Sequence, residues 1–135
     1  MFVVDASVVL AWCFDDESSP AAEAAVDRLI LEGGIAPAHW PLEIANAVRV
    51  AERRKRVDSD GIRTLTSMVA GLPIDIAPVE LGTALGLIET ARQHDLSVYD
   101  AAYLNLARAR GLPLATVDGR LADACRAAGV PLIAA

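Results

Sequence analysis

Four acidic residues stand where a carboxylate is hard to explain by packing alone: Asp5 in "VVDASV", Glu43 in "PLEIANAV", Asp100 in "LSVYDAAYLNLA" and Asp118 in "LATVDGRL". Asp5 follows the apolar run Phe2-Val3-Val4, and Asp118 follows "LPLATV", so each ends a predicted buried strand. An isolated ionised carboxylate is expensive to bury, so such an acid sits at a strand end, is paired, or binds a cation. Either residue can instead be a helix N-cap. Asp100 lies three residues after Ser97, which is also the spacing of a capping box. On the helix predicted around Glu43, residues Asn46, Ala47 and Val50 share its face within about 60°, whereas Arg49, Glu52, Arg53 and Arg56 lie on another side. Glu43 therefore points with the small and apolar residues. A first-turn acid favoured by the helix dipole is the competing reading.

Gathered without a cation, these carboxylates repel one another, which raises their pKa values and costs stability. Hard oxygen ligands suit Mg²⁺ or Mn²⁺, and Mg²⁺ keeps several of its waters. That combination is what phosphodiester hydrolysis needs, because the ion lowers the pKa of water and neutralises phosphate charge. A zinc site is not offered: His39 and His94 are isolated and read as surface or packing residues, and Cys13 and Cys125 are far apart. There is no glycine-rich phosphate cradle.

The elements that must position the acids alternate between short apolar runs and helices. Strands are predicted at Phe2–Val4, around Ile35–Ala36, and in "IDIAPV", "LPLATVD" and the terminal "VPLIAA". Helices are predicted with Ser7 as the cap of 8–14, at Pro20–Glu32, from Pro41 to about Arg56, and in "VDSDGIRTLTSMVAGLP" as far as Gly71. Further helices cover Glu80–His94, with Leu81, Leu85 and Ile88 at apolar spacing, the segment from Ser97 to Gly111, and "GRLADACRAAG". The alternation predicts a three-layer α/β/α sandwich around a mainly parallel central sheet. In such sheets ligands gather outside the carboxyl ends of the strands, where Asp5 and Asp118 fall.

At 135 residues, 54% of them hydrophobic, the chain reads as one ordered domain spanning 1–135, with no repeat or linker. No apolar run reaches the roughly 18 residues of a membrane-spanning helix. The N-terminus has no basic region ahead of an apolar one, so a secretory signal is not expected. Two cysteines, both read as small packing groups, fit the reducing cytoplasm. A net charge of −6 disfavours a broad nucleic-acid footprint. "RVAERRKRV", residues 49–57, is the local exception: either a solvated helix end whose cations complement the dipole, or a phosphate-contacting edge carried by Arg49, Arg53 and Arg54. Trp12, Phe14, Trp40 and Tyr99 are expected in core or dimer packing, with an exposed groove for a partner peptide as the other reading.

The four acidic motifs, in this order and spacing, resemble the PIN domain, and more narrowly the VapC-type toxin ribonucleases of bacterial type II toxin–antitoxin pairs. The resemblance runs from Asp5 to the last predicted strand. It implies a Mg²⁺-dependent endoribonuclease (Mn²⁺ being an alternative ion), homodimerisation, and neutralisation by a cognate VapB-type antitoxin. By position, Asp5 and Asp100 resemble the principal metal ligands. Glu43 and Asp118 resemble the rest of the acidic quartet, acting through water or on a second ion. Ser7 and Thr116 fall where the family often carries hydroxyls near the acids, and Asn46 where a polar helper recurs; local capping is the competing reading for all three.

The expected reaction is in-line attack by ion-activated water on single-stranded RNA, leaving 5′-phosphate and 3′-hydroxyl ends. Two rivals stand beside it. A haloacid-dehalogenase-type phosphatase would use a strand-end Asp as nucleophile, but it expects a second acid where this chain has Ser7. An inert PIN-like scaffold would use the acids only as helix caps.

Overall fold

β1 (Phe2–Val4) is wholly buried and consists of β-branched and aromatic residues suited to a strand covered on both faces. The computed structural model describes residues 1–133, apart from the Asp15 side chain. After β1 come α1 (Ala6–Cys13), a 3-10 turn (Asp15–Glu17), α2 (Pro20–Glu32), β2 (Gly34–Pro37) and α3 (Trp40–Arg53). They are followed by α4 (Ser59–Ala70), β3 (Ile74–Ala77), α5 (Leu81–His94), α6 (Val98–Arg110), β4 (Leu114–Ala115) and α7 (Gly119–Ala128).

The four strands form one parallel sheet in the order β3-β2-β1-β4, and helices cover it to give the α/β/α sandwich the sequence predicts. Val3 is level with Ile35 of β2 on one side and with Leu114 of β4 on the other. From β1 the chain therefore builds outward to β2 and β3, then returns to the opposite side for β4. That reversal falls between β1 and β4, and it is there that a parallel sheet opens a crevice at its carboxyl edge. The main core joins β1 and β2 to Val8, Val26 and Leu29 on the one hand and to Tyr103, Leu104 and Leu121 on the other.

Local chemistry fixes most helix ends. Ser19 accepts a hydrogen bond from the Ala22 N–H at 3.1 Å and Pro20 opens α2, Asp58 caps α4 through the Gly61 N–H, and Ser97 caps α6 through the Asp100 N–H. Gly111 ends α6 in the left-handed region, which glycine enters without strain.

Several expectations are corrected. α1 begins at Ala6, with Asp5 rather than Ser7 in the cap position, and the Ser7 hydroxyl turns into the carboxyl edge of the sheet instead. α3 ends at Arg53, because Lys55 adopts a left-handed backbone (φ 57°) that stops the helix short of Arg56. The last predicted strand is reduced to a single bridge between Leu132 and Leu114, and its final two residues lie outside the described ones. The apolar spacing in α5 does not mark a buried face: Leu81, Leu85 and Ile88 are 75%, 57% and 46% exposed. α5 instead packs through Leu87 and Ala91 onto Ala101 of α6. Phe14 and Trp40 are buried and Trp12 packs against the core, but Tyr99 is exposed. Among the described residues no helix is long and apolar enough to cross a membrane.

Candidate active site

The end of β1 brings Asp5 to the centre of the carboxyl edge, where it is only 5% exposed. Its backbone N–H is tied to the Ala115 carbonyl of β4 at 3.0 Å, so the β1–β4 pairing itself sets the residue. The side chain makes no capping bond to α1. It accepts two hydroxyl donors on one oxygen, Oδ2: Ser7 at 2.6 Å and Thr116 at 2.7 Å. Each hydroxyl has a single proton, so with both committed to Asp5 the 3.3 Å contact between them holds no bond of its own. Their free lone pairs take the next backbone donors, Val117 N–H onto Ser7 and Asp118 N–H onto Thr116. Ser7 and Thr116 therefore act by orienting Asp5 and the loop after β4. Among the described residues Oδ1 has no hydrogen-bond donor.

Glu43 comes from the first turn of α3. The buried stripe of that helix is Trp40, Ile44, Val48 and Ala51, so Glu43 lies on the flank of the buried face, not at its centre. Its Oε1 accepts the phenol of Tyr103 at 2.7 Å. That hydroxyl in turn receives the Ala6 N–H at 3.4 Å, so one buried phenol joins the starts of α1 and α3 to the middle of α6. His39, one turn before Glu43, brings Nε2 to 3.0 Å from the same oxygen but out of line for a hydrogen bond, so Nε2 is buried without a hydrogen-bond partner among the described residues. Its ring packs between Tyr99 and Tyr103, with centroids at 5.2 and 5.3 Å.

Asp100 sits half-buried in the first turn of α6. Ser97 caps that turn, but Asp100 does not reach back to complete a capping box, so its carboxylate remains free for the crevice. Asn46, Glu43, His39, Ser97, Tyr99 and Asp100 wall a pocket of about 420 Å³. Asp118 is the acid most engaged with its own helix, its Oδ1 capping α7 through the Arg120 and Leu121 N–H groups. It opens with Thr116 onto a separate cleft of about 430 Å³.

The charges feel one another. Burial raises the Asp5 carboxyl above the usual range; the Ser7 and Thr116 hydroxyls oppose that, and the Glu43 and Asp100 charges add to it. Asp100 is raised first by burial, then by Asp118 and Glu43. Burial and the neighbouring carboxylates raise the Tyr103 phenol as well, which keeps it a donor to Glu43. This all-carboxylate set, with a free Oδ1 on Asp5 and mutual repulsion, fits a hard divalent cation by charge and donor type. Among the described residues, no three acids, histidines or cysteines stand close enough to hold a metal by themselves, so water would have to complete the coordination of any ion.

The basic edge divides. Arg49 is paired with Glu52 at 2.8 Å, and Arg56 with Asp16 at 2.9 Å while stacking on Phe14. Arg53 and Arg54 are exposed beside Val50, and about 15 Å of helix separates Arg53 from Glu43. That distance removes them from a phosphate held at the acids. Tyr103 escaped the sequence reading, and His39, read there as an isolated surface or packing residue, lies against Glu43. The only sequence signal was spacing: Tyr103 is three residues after Asp100 on α6, and His39, the cap residue of α3, is four before Glu43.

Compared with known proteins, residues 2–127 match the family model "PIN domain". The chain belongs to the PIN-domain family and, within it, to the VapC-type ribonucleases. It is similar to Ribonuclease VapC12 of Mycobacterium tuberculosis, found in strains CDC 1551 / Oshkosh and ATCC 25618 / H37Rv, with 34% identity over 124 residues covering 91% of each chain. Among solved structures it is similar to PAE2754 from Pyrobaculum aerophilum, at 25% identity and a TM-score of 0.67, covering 91% of this chain and 84% of that one.

Proposed function

We propose that residues 1–135 act as one PIN domain, a Mg²⁺-dependent endoribonuclease toxin that cuts single-stranded regions of RNA. The observation that carries this reading is the buried Asp5 carboxylate, steered by two hydroxyls and lying within repulsive range of Glu43 and Asp100. Asp5 and Asp100 are the principal ligands, with Glu43 and Asp118 acting through water. Mg²⁺, or Mn²⁺ in its place, supplies positive charge for the phosphate and lowers the pKa of water. Ser7 and Thr116 hold the Asp5 carboxylate, Tyr103 holds Glu43, and Asn46 lines the approach. Glu43 or Asp118 orients the attacking water for in-line displacement, which leaves 5′-phosphate and 3′-hydroxyl ends. The leaving oxygen relies on a second metal ion or on solvent. Arg53 and Arg54 contact phosphates further along the strand, and Arg49 joins them only by leaving Glu52.

The same reading makes the chain a homodimer of the cytoplasm, silenced by a VapB-type antitoxin; its membership of the VapC-type ribonucleases supports this. The test is RNA cleavage by wild type and Asp5→Asn, each with Mg²⁺ and with EDTA, alongside melting curves. Cleavage is expected only for wild type with Mg²⁺, and Mg²⁺ is expected to raise its melting temperature by binding the folded state. Cleavage that survives both the substitution and EDTA overturns the mechanism. A folded wild type that neither cuts nor responds to Mg²⁺ leaves an inert scaffold, and a phosphorylated Asp5 would point to the phosphatase chemistry.

A further inference from the structure

The chain has six aromatic side chains of the Phe, Trp and Tyr types, and Tyr99 is the one that is exposed, at 64%. It directly precedes Asp100. One side of its ring leans on His39, with centroids 5.2 Å apart and a 52° tilt, which holds the ring in place while the rest remains open to solvent. Tyr99 also stands on a boundary. With His39 and Leu42 it walls the acid pocket, and the same three residues wall an apolar hollow of about 370 Å³ floored by Ala102 and Leu106 of α6. That volume lies within the roughly 300–1,000 Å³ of pockets that take ligand-sized groups. Exposed aromatic rings are one of the two means by which proteins grip single-stranded nucleic acid, because every base offers a π-face whatever its sequence.

We propose that Tyr99 is a base-stacking platform, and that the nucleobase next to the phosphate held at the acids lies on its open face and tips into the apolar hollow. The proposal rests on the reading of the chain as an RNA-cleaving enzyme and adds a binding subsite to it. His39, Leu42 and Tyr99 wall both the acid pocket and the hollow, so a strand entering the acid pocket passes this ring. Stacking gives affinity without sequence choice, and it supplies the grip that a chain of net charge −6 cannot draw from a broad basic surface.

The experiment measures binding of a fluorescein-labelled, single-stranded RNA of random sequence by fluorescence anisotropy. Asp5→Asn serves as the parent, so that the strand is not cut. Adding Tyr99→Ala is expected to weaken binding about five- to a hundredfold, and Tyr99→Phe to change it by no more than about a factor of two. A ribose-phosphate strand of equal length without bases is expected to bind the parent and Tyr99→Ala equally. Equal RNA affinity for the parent and Tyr99→Ala overturns the proposal, as does an equal loss on the base-free strand. A change in sedimentation coefficient with Tyr99→Ala would place the ring between copies of the chain and overturn it too. If the parent binds no RNA, while wild type neither binds nor cuts it, the ribonuclease reading fails and the platform falls with it.

Discussion

Burial and mutual repulsion push the Asp5 and Asp100 carboxyls in the same direction, upward from the ordinary carboxylate range. A carboxyl whose pKa is higher folded than unfolded binds its proton more tightly in the native state. Its favourable contribution is complete below the unfolded value, near 3.9, and is lost as pH rises through the folded value. Without divalent ions, Asp100→Asn is therefore expected to melt above wild type at neutral pH, and the gap should close as pH falls into the acid range. Differential scanning calorimetry in EDTA at several pH values reads this, and a gap that does not change with pH would mean that Asp100 feels no repulsion. With Mg²⁺ the advantage should shrink, since the variant has given up a ligand. Asp5 was legible from sequence because an acid after three buried apolar residues demands a reason. Tyr103 was not, because a tyrosine among leucines and alanines of a helix reads as core, which it also is.

At the scale of elements, the cap residue and the functional residue proved to be separable roles. Asp5 occupies the α1 cap position with an extended backbone, yet its side chain ignores the helix; Asp118 occupies the α7 cap and uses it. The sequence shows only that both precede helices, so which acid is free was decided by hydroxyls more than a hundred residues from Asp5 in one case and two residues from it in the other. α5 misled for a related reason. Its leucines have helical spacing, but periodicity tells that a face is apolar, not what covers it. The junction of α2 and β2 offers a sharper test of how the sheet is held. A Cβ on Gly34 would come within 2.5 Å of the Leu29 Cδ1 atom and within 3.3 Å of the Phe2 carbonyl. Leu29 is wholly buried and Phe2 belongs to the central strand, so neither has room to yield. Gly34→Ala is expected to cost about 1–3 kcal/mol in urea unfolding. An unchanged midpoint would show that β2 does not lie as close to α2 as described.

For the molecule as a whole, the layer order and the carboxyl-edge location were readable from alternating strands and helices, since parallel strands must all end on one edge. How near the acids stand to one another was not, because it depends on where the chain reverses between β1 and β4. Tyr103 is the group that ties this arrangement across layers, through Glu43 on one side and Ala6 on the other. Tyr103→Phe keeps the ring and removes both bonds, so a loss of about 1–2 kcal/mol in urea unfolding is expected. The Mg²⁺-induced rise in melting temperature should shrink as well, because Glu43 loses its fixed position. Equal destabilisation with an undiminished Mg²⁺ response would make the phenol purely a packing group. The pairing of Asp5 with Thr116 carries one more consequence. Because the first strand is synthesised long before Thr116, a nascent chain that stops short of residue 116 carries its leading aspartate with one of its two aiming groups missing.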